Sequence, residues 1–247
     1  MYQPIVNMVT NEVISFEALA RWDHKVRGRI APADFIPIAE SRNLICMLNH
    51  QVFKKTLSDM RELNRFGCAC APVSVNISAA TLDDRELVRH ITDALEAYEV
   101  DPSLIWLELT ETMALADGSY AHENLFLISE AGIRLALDDF GTGYSSLGLI
   151  KDLPISRIKI DRSFVTHIAS NEKDRGIVES IGLLAKALQL ELVAEDIETR
   201  AQVDFLSELG IEIGQGFFYS KPISARQIRD GGYIDISPPK KESLALP

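Results

Sequence analysis

The chain has 247 residues, of which 47% are hydrophobic and 25% charged, and its formal net charge at pH 7 is −11. This length fits one large domain or two small ones, and the composition is that of an ordinary globular protein. Because the charge is acidic and no run of basic residues occurs, we expect no nucleic acid polymer among its partners. A small phosphate-bearing ligand fits this charge where cations offset the acidic field locally.

No apolar stretch reaches the roughly 18 residues of a membrane-spanning helix, and no signal-peptide pattern follows the first methionine. The three cysteines, Cys46, Cys68 and Cys70, are odd in number and lack the spacing of metal ligands. We therefore expect reduced thiols and a cytoplasmic location.

The first residues predict an antiparallel β-hairpin. Residues 2–6 and 13–19 have the composition of strands, and residues 10–12 form the turn between them. The chain begins directly on strand residues, so we expect that a preceding domain of a longer protein has been removed at this point.

Helices and strands alternate along the rest of the chain. We expect helices at residues 32–40, 49–65, 84–98, 120–131, 174–187 and 200–209, and strands at residues 71–78, 104–108, 133–137, 157–160, 191–194 and 211–214. Such alternation indicates βαβ units and a parallel sheet. With the hairpin there are about eight strands over about 230 residues, which is the size of a (β/α)8 barrel. Residues 231–247 are predicted to be a peripheral tail.

Polar residues stand at the carboxyl ends of seven successive predicted strands. In a barrel these ends converge on one face, where such enzymes place their chemistry. We therefore expect one site that contains these residues: Glu17, Asn76, Glu108, Asp138, Asp139, Lys159, Asp161, Glu195, Glu198 and Gln215.

Asp138 and Asp139 follow a short buried strand and precede a loop that contains Gly141 and Gly143. Neighbouring residues of an ideal strand point to opposite faces, so both aspartates reach one site only where the strand gives way to the loop. The alternative is a solvated pair at the start of a loop. The recurrence of polar residues at the other strand ends favours the shared site.

The ligand types indicate the chemistry of this site. Carboxylates with one asparagine amide form a hard oxygen site, which suits Mg²⁺ or Mn²⁺ rather than Zn²⁺. Clustered acids could not all stay ionised without a divalent cation. A carboxylate such as Asp138, next to Asp139, could bridge two ions about 4 Å apart. Such a pair of ions stabilises both the attacking oxygen and the leaving oxygen of a phosphoryl displacement. Lys159 would stabilise a hydroxide nucleophile or developing negative charge, and Glu195 is the candidate general base.

Seven segments of the chain together resemble the EAL domain, the cyclic di-GMP phosphodiesterase family of bacteria. They occur in order at residues 2–5, 16–22, 75–78, 108–111, 138–146, 159–164 and 215–216. The resemblance implies a modified TIM barrel whose first strand is antiparallel to the others, and a phosphodiesterase domain over residues 1–230. It also implies hydrolysis of one phosphodiester of cyclic di-GMP to linear pGpG, dependent on Mg²⁺ or Mn²⁺.

The resemblance also implies a role for each site residue by its position in the motifs. The implied metal ligands are Glu17, Asn76, Glu108, Asp138 and Asp139, the catalytic residues are Lys159 and Glu195, the substrate-binding residues are Gln3, Leu19, Arg21 and Gln215, and Glu111, Asp161 and Glu198 support them. Arg21 is the natural phosphate partner, because a guanidinium matches phosphate oxygens with two parallel donors. Residues 139–146 would link metal occupancy to dimerisation, with Glu111 as the anchor of this loop.

One position departs from the family pattern. The family usually has glycine where this chain has Asp196, directly after Glu195. If the position requires a positive φ, aspartate tolerates it less well than glycine. The added charge would raise the pKa of Glu195, so we expect lowered but nonzero activity.

Two other functions are alternatives to an active enzyme. The first is a noncatalytic cyclic di-GMP receptor that acts through partner contacts, which typically lacks several metal ligands that this chain retains. The second is an unrelated barrel enzyme of sugar phosphates, which would carry a Gly-rich phosphate loop that is missing here. The resemblance further implies a homodimer and a fused sensory or diguanylate-cyclase domain. Through such a domain the full-length protein could be tethered to a membrane.

The remaining aromatic residues and the histidines are assigned no functional role. Trp22 and Phe35 are predicted to be core residues. At least two of the three aromatic residues at 217–219 are predicted to pack rather than to stack on a guanine. The five histidines match no motif: His24, His50, His90, His122 and His167.

Overall fold

The structure is a computed structural model that describes residues 1–68, 71–114, 120–142 and 150–231. Its strands are β1 (Tyr2–Asn7), β2 (Glu12–Ala18), β3 (Trp22–His24), β4 (Gly28–Ile30), β5 (Val73–Asn76), β6 (Ile105–Thr110), β7 (Arg134–Phe140), β8 (Arg157–Ile160), β9 (Glu191–Ala194) and β10 (Ile213–Gln215). All except β3 and β4 form a closed barrel in the order β1–β10–β9–β8–β7–β6–β5–β2. The predicted barrel is therefore confirmed.

Helices cover the outside of the barrel, as expected when a parallel sheet is buried on both faces. They are α1 (Pro32–Ser41), α2 (Ile45–Arg65), α3 (Ala79–Leu82), α4 (Leu87–Tyr98), α5 (Glu111–Ala114), α6 (Ala121–Glu130), α7 (Arg162–Thr166), α8 (Glu172–Leu188), α9 (Arg200–Glu208) and α10 (Ala225–Gly231). Every predicted strand and helix is present, with ends that differ from the prediction by up to four residues. The tail was predicted at residues 231–247. Gly231 is the last residue of α10, and residues 232–247 lie outside the described part of the chain.

The first strand closes the barrel in the opposite direction to its neighbours. β1 is antiparallel to β2, with Gln3 opposite Glu17, and also antiparallel to β10, with Ile5 opposite Gln215. The other neighbouring barrel strands are parallel. The antiparallel first strand is thus confirmed.

The parallel register aligns the ends of the strands. Asn76 of β5 pairs with Glu108 of β6, and Thr110 of β6 pairs with Asp138 of β7. The strand interiors are mostly apolar and buried, for example Leu107 and Ile158, although Ser74 of β5 is also fully buried. Burying each such apolar side chain contributes about 1.5–3 kcal/mol.

The prediction for Trp22 is wrong, whereas Phe35 is buried as predicted. Trp22 is 45% exposed, because it belongs to a two-stranded antiparallel sheet of β3 and β4 outside the barrel. These strands have three residues each, too short to show a period of alternation. Phe35 of α1 contacts the edge of the Trp22 ring, with centroids 5.9 Å apart.

The aromatic residues after β10 follow the prediction that at least two of them pack. Tyr219 is 8% exposed and Phe218 packs against the core, whereas Phe217 is 51% exposed. Among the described residues, no helix has both the length and the apolar character needed to cross a bilayer.

Candidate active site

A buried lysine lies among the polar strand ends. Lys159 of β8 is fully buried, and its Nζ lies within 3.5 Å of four carboxylates. The distances are 2.6 Å to Glu195 Oε1, 2.9 Å to Glu108 Oε2, 3.2 Å to Asp138 Oδ1 and 3.5 Å to Glu17 Oε2. The ends of β2, β6, β7, β8 and β9 are thus brought together around one cation.

Two amide side chains hold the Glu17 carboxylate in place. Asn76 donates its Nδ2 to Glu17 Oε1 at 2.9 Å, and Gln215 donates its Nε2 to Glu17 Oε2 at 2.7 Å. Because the amide nitrogen of Asn76 faces Glu17, its amide oxygen is the atom that remains to ligate a cation.

An irregularity at the end of β7 brings both neighbouring aspartates to the site. The register of β7 against β8 shifts between Leu137 and Phe140, and Asp139 has a φ of 53°. A positive φ in a bulged strand breaks the alternation of side chains between faces. One carboxylate oxygen each of Asp138, Asp139 and Glu195 therefore lies within 4.8 Å of the others.

The crowding of acids shows in the pKa of Glu108. Burial raises this pKa to about 7; the attraction of Lys159 opposes the shift, and the negative charges of Glu17 and Asp138 add to it. The pKa of Lys159 itself rises well above its usual value, because its four carboxylate neighbours outweigh the effect of burial.

The pKa values of two further carboxyl groups of the site are also raised. Burial raises the pKa of Asp139 to about 6, and the charges of Asp138 and Asp161 contribute to the shift. Burial also raises the pKa of Glu195 well above its usual value, although Lys159 opposes this shift. These groups hold protons more tightly than free carboxyl groups unless a further cation binds.

The stability of the metal-free protein is expected to fall as the pH rises from about 4.5 to about 7. The pKa of Glu108 lies above its unfolded value of 4.5, so the native state binds more protons than the unfolded state between pH 4.5 and about 7. The stability is fully present at low pH, and on the order of 3 kcal/mol is lost through this window. Thermal unfolding in EDTA at several pH values measures it, and Glu108→Gln should flatten the dependence. A metal-free melting temperature that rises over this range would contradict the expectation.

The loop after β7 is anchored by a buried glutamate. Glu111 accepts a hydrogen bond at its Oε2 from the backbone N–H of Gly141 at 3.1 Å. Gly141 has a φ of 98°, which favours glycine. Residues 143–146 of the predicted loop lie outside the described part of the chain, so its link to dimerisation stays a prediction.

The segment after β9 is bound to the segment after β10. Ile197 donates its N–H to the carbonyl of Gln215 at 3.0 Å, and its carbonyl accepts the N–H of Phe218 at 2.9 Å. Gly216 lies so close that a Cβ there would overlap the backbone nitrogen and carbonyl of Ile197. This contact fixes the segment that carries Glu195.

Gly216→Ala is expected to lower the free energy of unfolding by about 3 kcal/mol, because an added Cβ forces the two backbones apart. Urea unfolding of both proteins measures the difference. Gly182→Ala is the matched control: Gly182 lies in α8, and a Cβ there meets nothing within 4 Å. It should be neutral or stabilising by up to about 1 kcal/mol. Equal stability of Gly216→Ala and the control would refute this packing argument.

The predicted substrate-binding residues lie beside the cluster. Gln3 is buried opposite Glu17, and its Nε2 donates to the Ser220 carbonyl at 3.4 Å. Leu19 and Arg21 are half-buried after β2, and Arg21 donates its Nη1 to the neighbouring backbone carbonyl.

The predicted supporting residues differ in their placement. Asp161 accepts the N–H of Ser163 at 2.9 Å at the start of α7, and its charge raises the pKa of Asp139. The Glu198 side chain is exposed, while its backbone N–H donates to Gln202 Oε1 at 2.9 Å.

Asn49 contributes to the site but was missed in the sequence. Its Nδ2 donates to the backbone carbonyl of Asn76 at 3.1 Å, and its Oδ1 accepts from Thr81 Oγ1 at 2.9 Å. The sequence predicts a helix that starts at Asn49, whereas α2 begins at Ile45. The available signal was its position four residues before the buried Phe53, on the same helix face.

The cluster fits a divalent cation. The three carboxylates that lie close enough to share an ion are those of Asp138, Asp139 and Glu195, and the carboxylates of Glu17 and Glu108 surround the same lysine. Among the described residues, no hydrogen-bond partner reaches the buried Glu108 Oε1. A hard oxygen donor set with an unsatisfied buried carboxylate oxygen suits Mg²⁺ or Mn²⁺.

Comparisons with known proteins find relatives over more than nine-tenths of this chain. Pseudomonas aeruginosa MucR, named a bifunctional diguanylate cyclase/cyclic di-GMP phosphodiesterase, is 39% identical over 227 residues, which are 92% of this chain and 33% of MucR. NbdA of the same organism, named a cyclic di-GMP phosphodiesterase, is 35% identical over 241 residues, or 96% of this chain and 31% of NbdA. This chain thus spans about a third of the length of these relatives.

A solved structure has the same fold. The structure of the PaMucR phosphodiesterase in complex with c-di-GMP superimposes with a TM-score of 0.87 at 39% identity and covers 92% of each chain. The family model of the EAL domain matches residues 1–222. The chain is therefore a member of the EAL domain family.

Proposed function

We propose that this chain is a metal-dependent phosphodiesterase that hydrolyses one phosphodiester bond of cyclic di-GMP to linear pGpG. The observation that carries the proposal is the contact of Lys159 with four carboxylates at one mouth of the barrel, beside Asn76 and Asp139. The names of the related phosphodiesterases support the same substrate.

Five side chains would hold the metal, which we propose to be two Mg²⁺ or Mn²⁺ ions: Glu17, Asn76, Glu108, Asp138 and Asp139. When bound, such ions lower the pKa of water and offset the negative charge of the phosphate. In this proposal burial, with the added repulsion of Glu17 and Asp138, raises the pKa of Glu108, and a bound cation would relieve both effects.

Glu195 acts as the general base. A water oxygen attacks the phosphorus, the water proton passes to the Glu195 carboxylate, and the bond from phosphorus to a ribose 3′ oxygen breaks. That oxygen leaves with a proton from solvent. Burial raises the pKa of Glu195, which makes its carboxylate a stronger base, and Lys159 Nζ at 2.6 Å keeps the carboxylate oriented.

Four residues bind the substrate. Arg21 donates two parallel hydrogen bonds to a phosphate. Gln3, Leu19 and Gln215 line the groove, and Gln215 Oε1, buried and without a partner among the described residues, is left to accept from a guanine N–H. Glu111, Asp161 and Glu198 act in support; Glu111 holds the loop at Gly141, and Asp161 acts on Asp139.

Incubation with cyclic di-GMP and Mn²⁺ tests the proposal. We expect linear pGpG, separated by chromatography, in the presence of Mn²⁺ or Mg²⁺ and none in EDTA. Tight binding of cyclic di-GMP without product would support the alternative of a receptor. Neither binding nor product would refute both functions.

Asp196→Gly is expected to raise the rate of pGpG formation by a factor of roughly 2 to 5, since glycine relieves the strain of a positive φ next to the base. Asp196 has a φ of 54°, a backbone conformation that glycine adopts more readily than aspartate. Steady-state kinetics measure the change. Gln189→Gly, at a helix end with a φ of 58°, is a control that should leave the rate unchanged. An unchanged rate for Asp196→Gly would mean that the substitution is neutral.

The location and partners of the whole protein are further parts of the proposal. We propose a homodimer, fused in a longer protein to a sensory or diguanylate-cyclase domain, in the cytoplasm or tethered to its membrane. The relatives are about three times as long as this chain, which supports further domains. Among the described residues, Cys46 and Cys68 are free cysteines. Sedimentation of the chain with and without Mg²⁺ tests the dimer.

A further inference from the structure

A second group of metal-ligating side chains lies outside the barrel. His50 belongs to α2, His90 to α4, and Asp84 lies in the turn before α4. One ligand atom from each of the three lies within 4.8 Å of the others. The two imidazole rings are 5.0 Å apart between centroids, and His90 Nδ1 lies 4.0 Å from Asp84 Oδ2. This group shares no residue with the acidic cluster at the mouth of the barrel.

Two ring nitrogens of this group are unsatisfied. His50 Nε2 and His90 Nδ1 are both buried and have no hydrogen-bond partner among the described residues. A buried polar atom without a partner costs about 1–3 kcal/mol. An imidazole nitrogen that carries no proton offers a lone pair to a metal ion. The two unsatisfied ring nitrogens are therefore candidate ligand atoms.

The surroundings leave room for such a ligand. A cavity of about 490 Å³ between α2 and α4 is lined by both histidines and by Phe53 and Ile91. Lys54 and Asp93 also line the cavity, and Asp84 lies next to it, with its Oδ2 4.0 Å from His90 Nδ1. Asp84 Oδ1 is held by the N–H of Glu86 at 3.0 Å, which orients its other oxygen.

We propose that His50, Asp84 and His90 bind a Zn²⁺ ion, with water from the cavity in the fourth position. Imidazole nitrogen with one carboxylate is a donor set that zinc accepts and that Mg²⁺ disfavours. Bond lengths of about 2.0–2.1 Å require the ligand atoms to approach each other by roughly 1 Å, which side-chain rotation supplies. The ion would join α2 to α4 at residues 40 positions apart in the chain.

A titration with Zn²⁺ tests the site in the full chain. The protein is stripped with a chelator, dialysed and kept in excess Mg²⁺, which competes with Zn²⁺ for the acidic cluster. Calorimetry is expected to show one Zn²⁺ bound per chain. Co²⁺ as a probe should give the visible absorption of tetrahedral coordination, and Zn²⁺ should raise the melting temperature.

Variants separate this site from the acidic cluster. His50→Gln and His90→Gln are expected to weaken Zn²⁺ binding at least about tenfold and to remove the Co²⁺ absorption. His167→Gln, at an exposed histidine, and Asp138→Asn, in the acidic cluster, should leave both unchanged. If a histidine variant does not fold, Asp84→Asn replaces it as the test variant. Its amide oxygen can still accept the hydrogen bond from the Glu86 N–H. The proposal is overturned if wild type binds no Zn²⁺, or if binding is lost in Asp138→Asn and kept in the histidine variants.

Discussion

Lys159→Met is expected to lower the stability of the metal-free protein by about 3–5 kcal/mol and its phosphodiesterase rate by about 10²–10³-fold. Lys159 Nζ lies within 3.5 Å of Glu17, Glu108, Asp138 and Glu195. Methionine has a similar length but no charge, so the variant leaves these buried carboxylates without their shared cation. Part of this repulsion is relieved by proton uptake, so the loss of stability should be larger at pH 8 than at pH 5.

Thermal and urea unfolding in EDTA measure the loss of stability, and product formation with Mn²⁺ measures the rate. Mn²⁺ should restore much of the stability, because it supplies the missing positive charge, but not the rate, because Glu195 loses its partner at 2.6 Å. Lys186→Met, at an exposed position of α8, is the matched control and should change the stability by less than about 0.5 kcal/mol. Wild-type stability and rate in Lys159→Met would remove the basis of the proposed site.

Glu17→Gln is expected to lower the rate of pGpG formation by about 10³-fold while cyclic di-GMP binding changes by less than about tenfold. The substitution keeps the shape of the side chain and removes one charge of the proposed metal site. Glu17 accepts hydrogen bonds from Asn76 and Gln215, and a glutamine oxygen can retain one of them. The fold should therefore persist, and the loss should lie in metal binding and in the chemical step.

Binding and turnover are measured separately in this comparison, by equilibrium dialysis of cyclic di-GMP and by product formation over a range of Mn²⁺ concentrations. Glu12→Gln is the control, since Glu12 lies on the same strand but is exposed. It should bind and hydrolyse like the wild type. A rate for Glu17→Gln within about tenfold of wild type would show that Glu17 is not a ligand essential for the reaction.

Much of the fold was accessible from local pattern. Strand and helix periods depend on residues a few positions apart, and these contacts lie within each element. The alternation of elements therefore predicted the barrel, and the position of Glu17, Glu108 and Lys159 at strand ends predicted one shared site. Trp22 shows the limit: strands of three residues carry no readable period, so an exposed aromatic residue was assigned to the core.

By itself, the sequence determined the order of the strands and which polar residues stand at their carboxyl ends, because both follow from patterns within single elements. Only the tertiary structure decided that Lys159 lies between four carboxylates, that a shift of register turns Asp139 toward Asp138, and that His50 meets His90. These distances are set when the barrel closes, because closure brings together strands and helices that are far apart in the chain. Contacts between such distant residues produce no periodic pattern in the sequence.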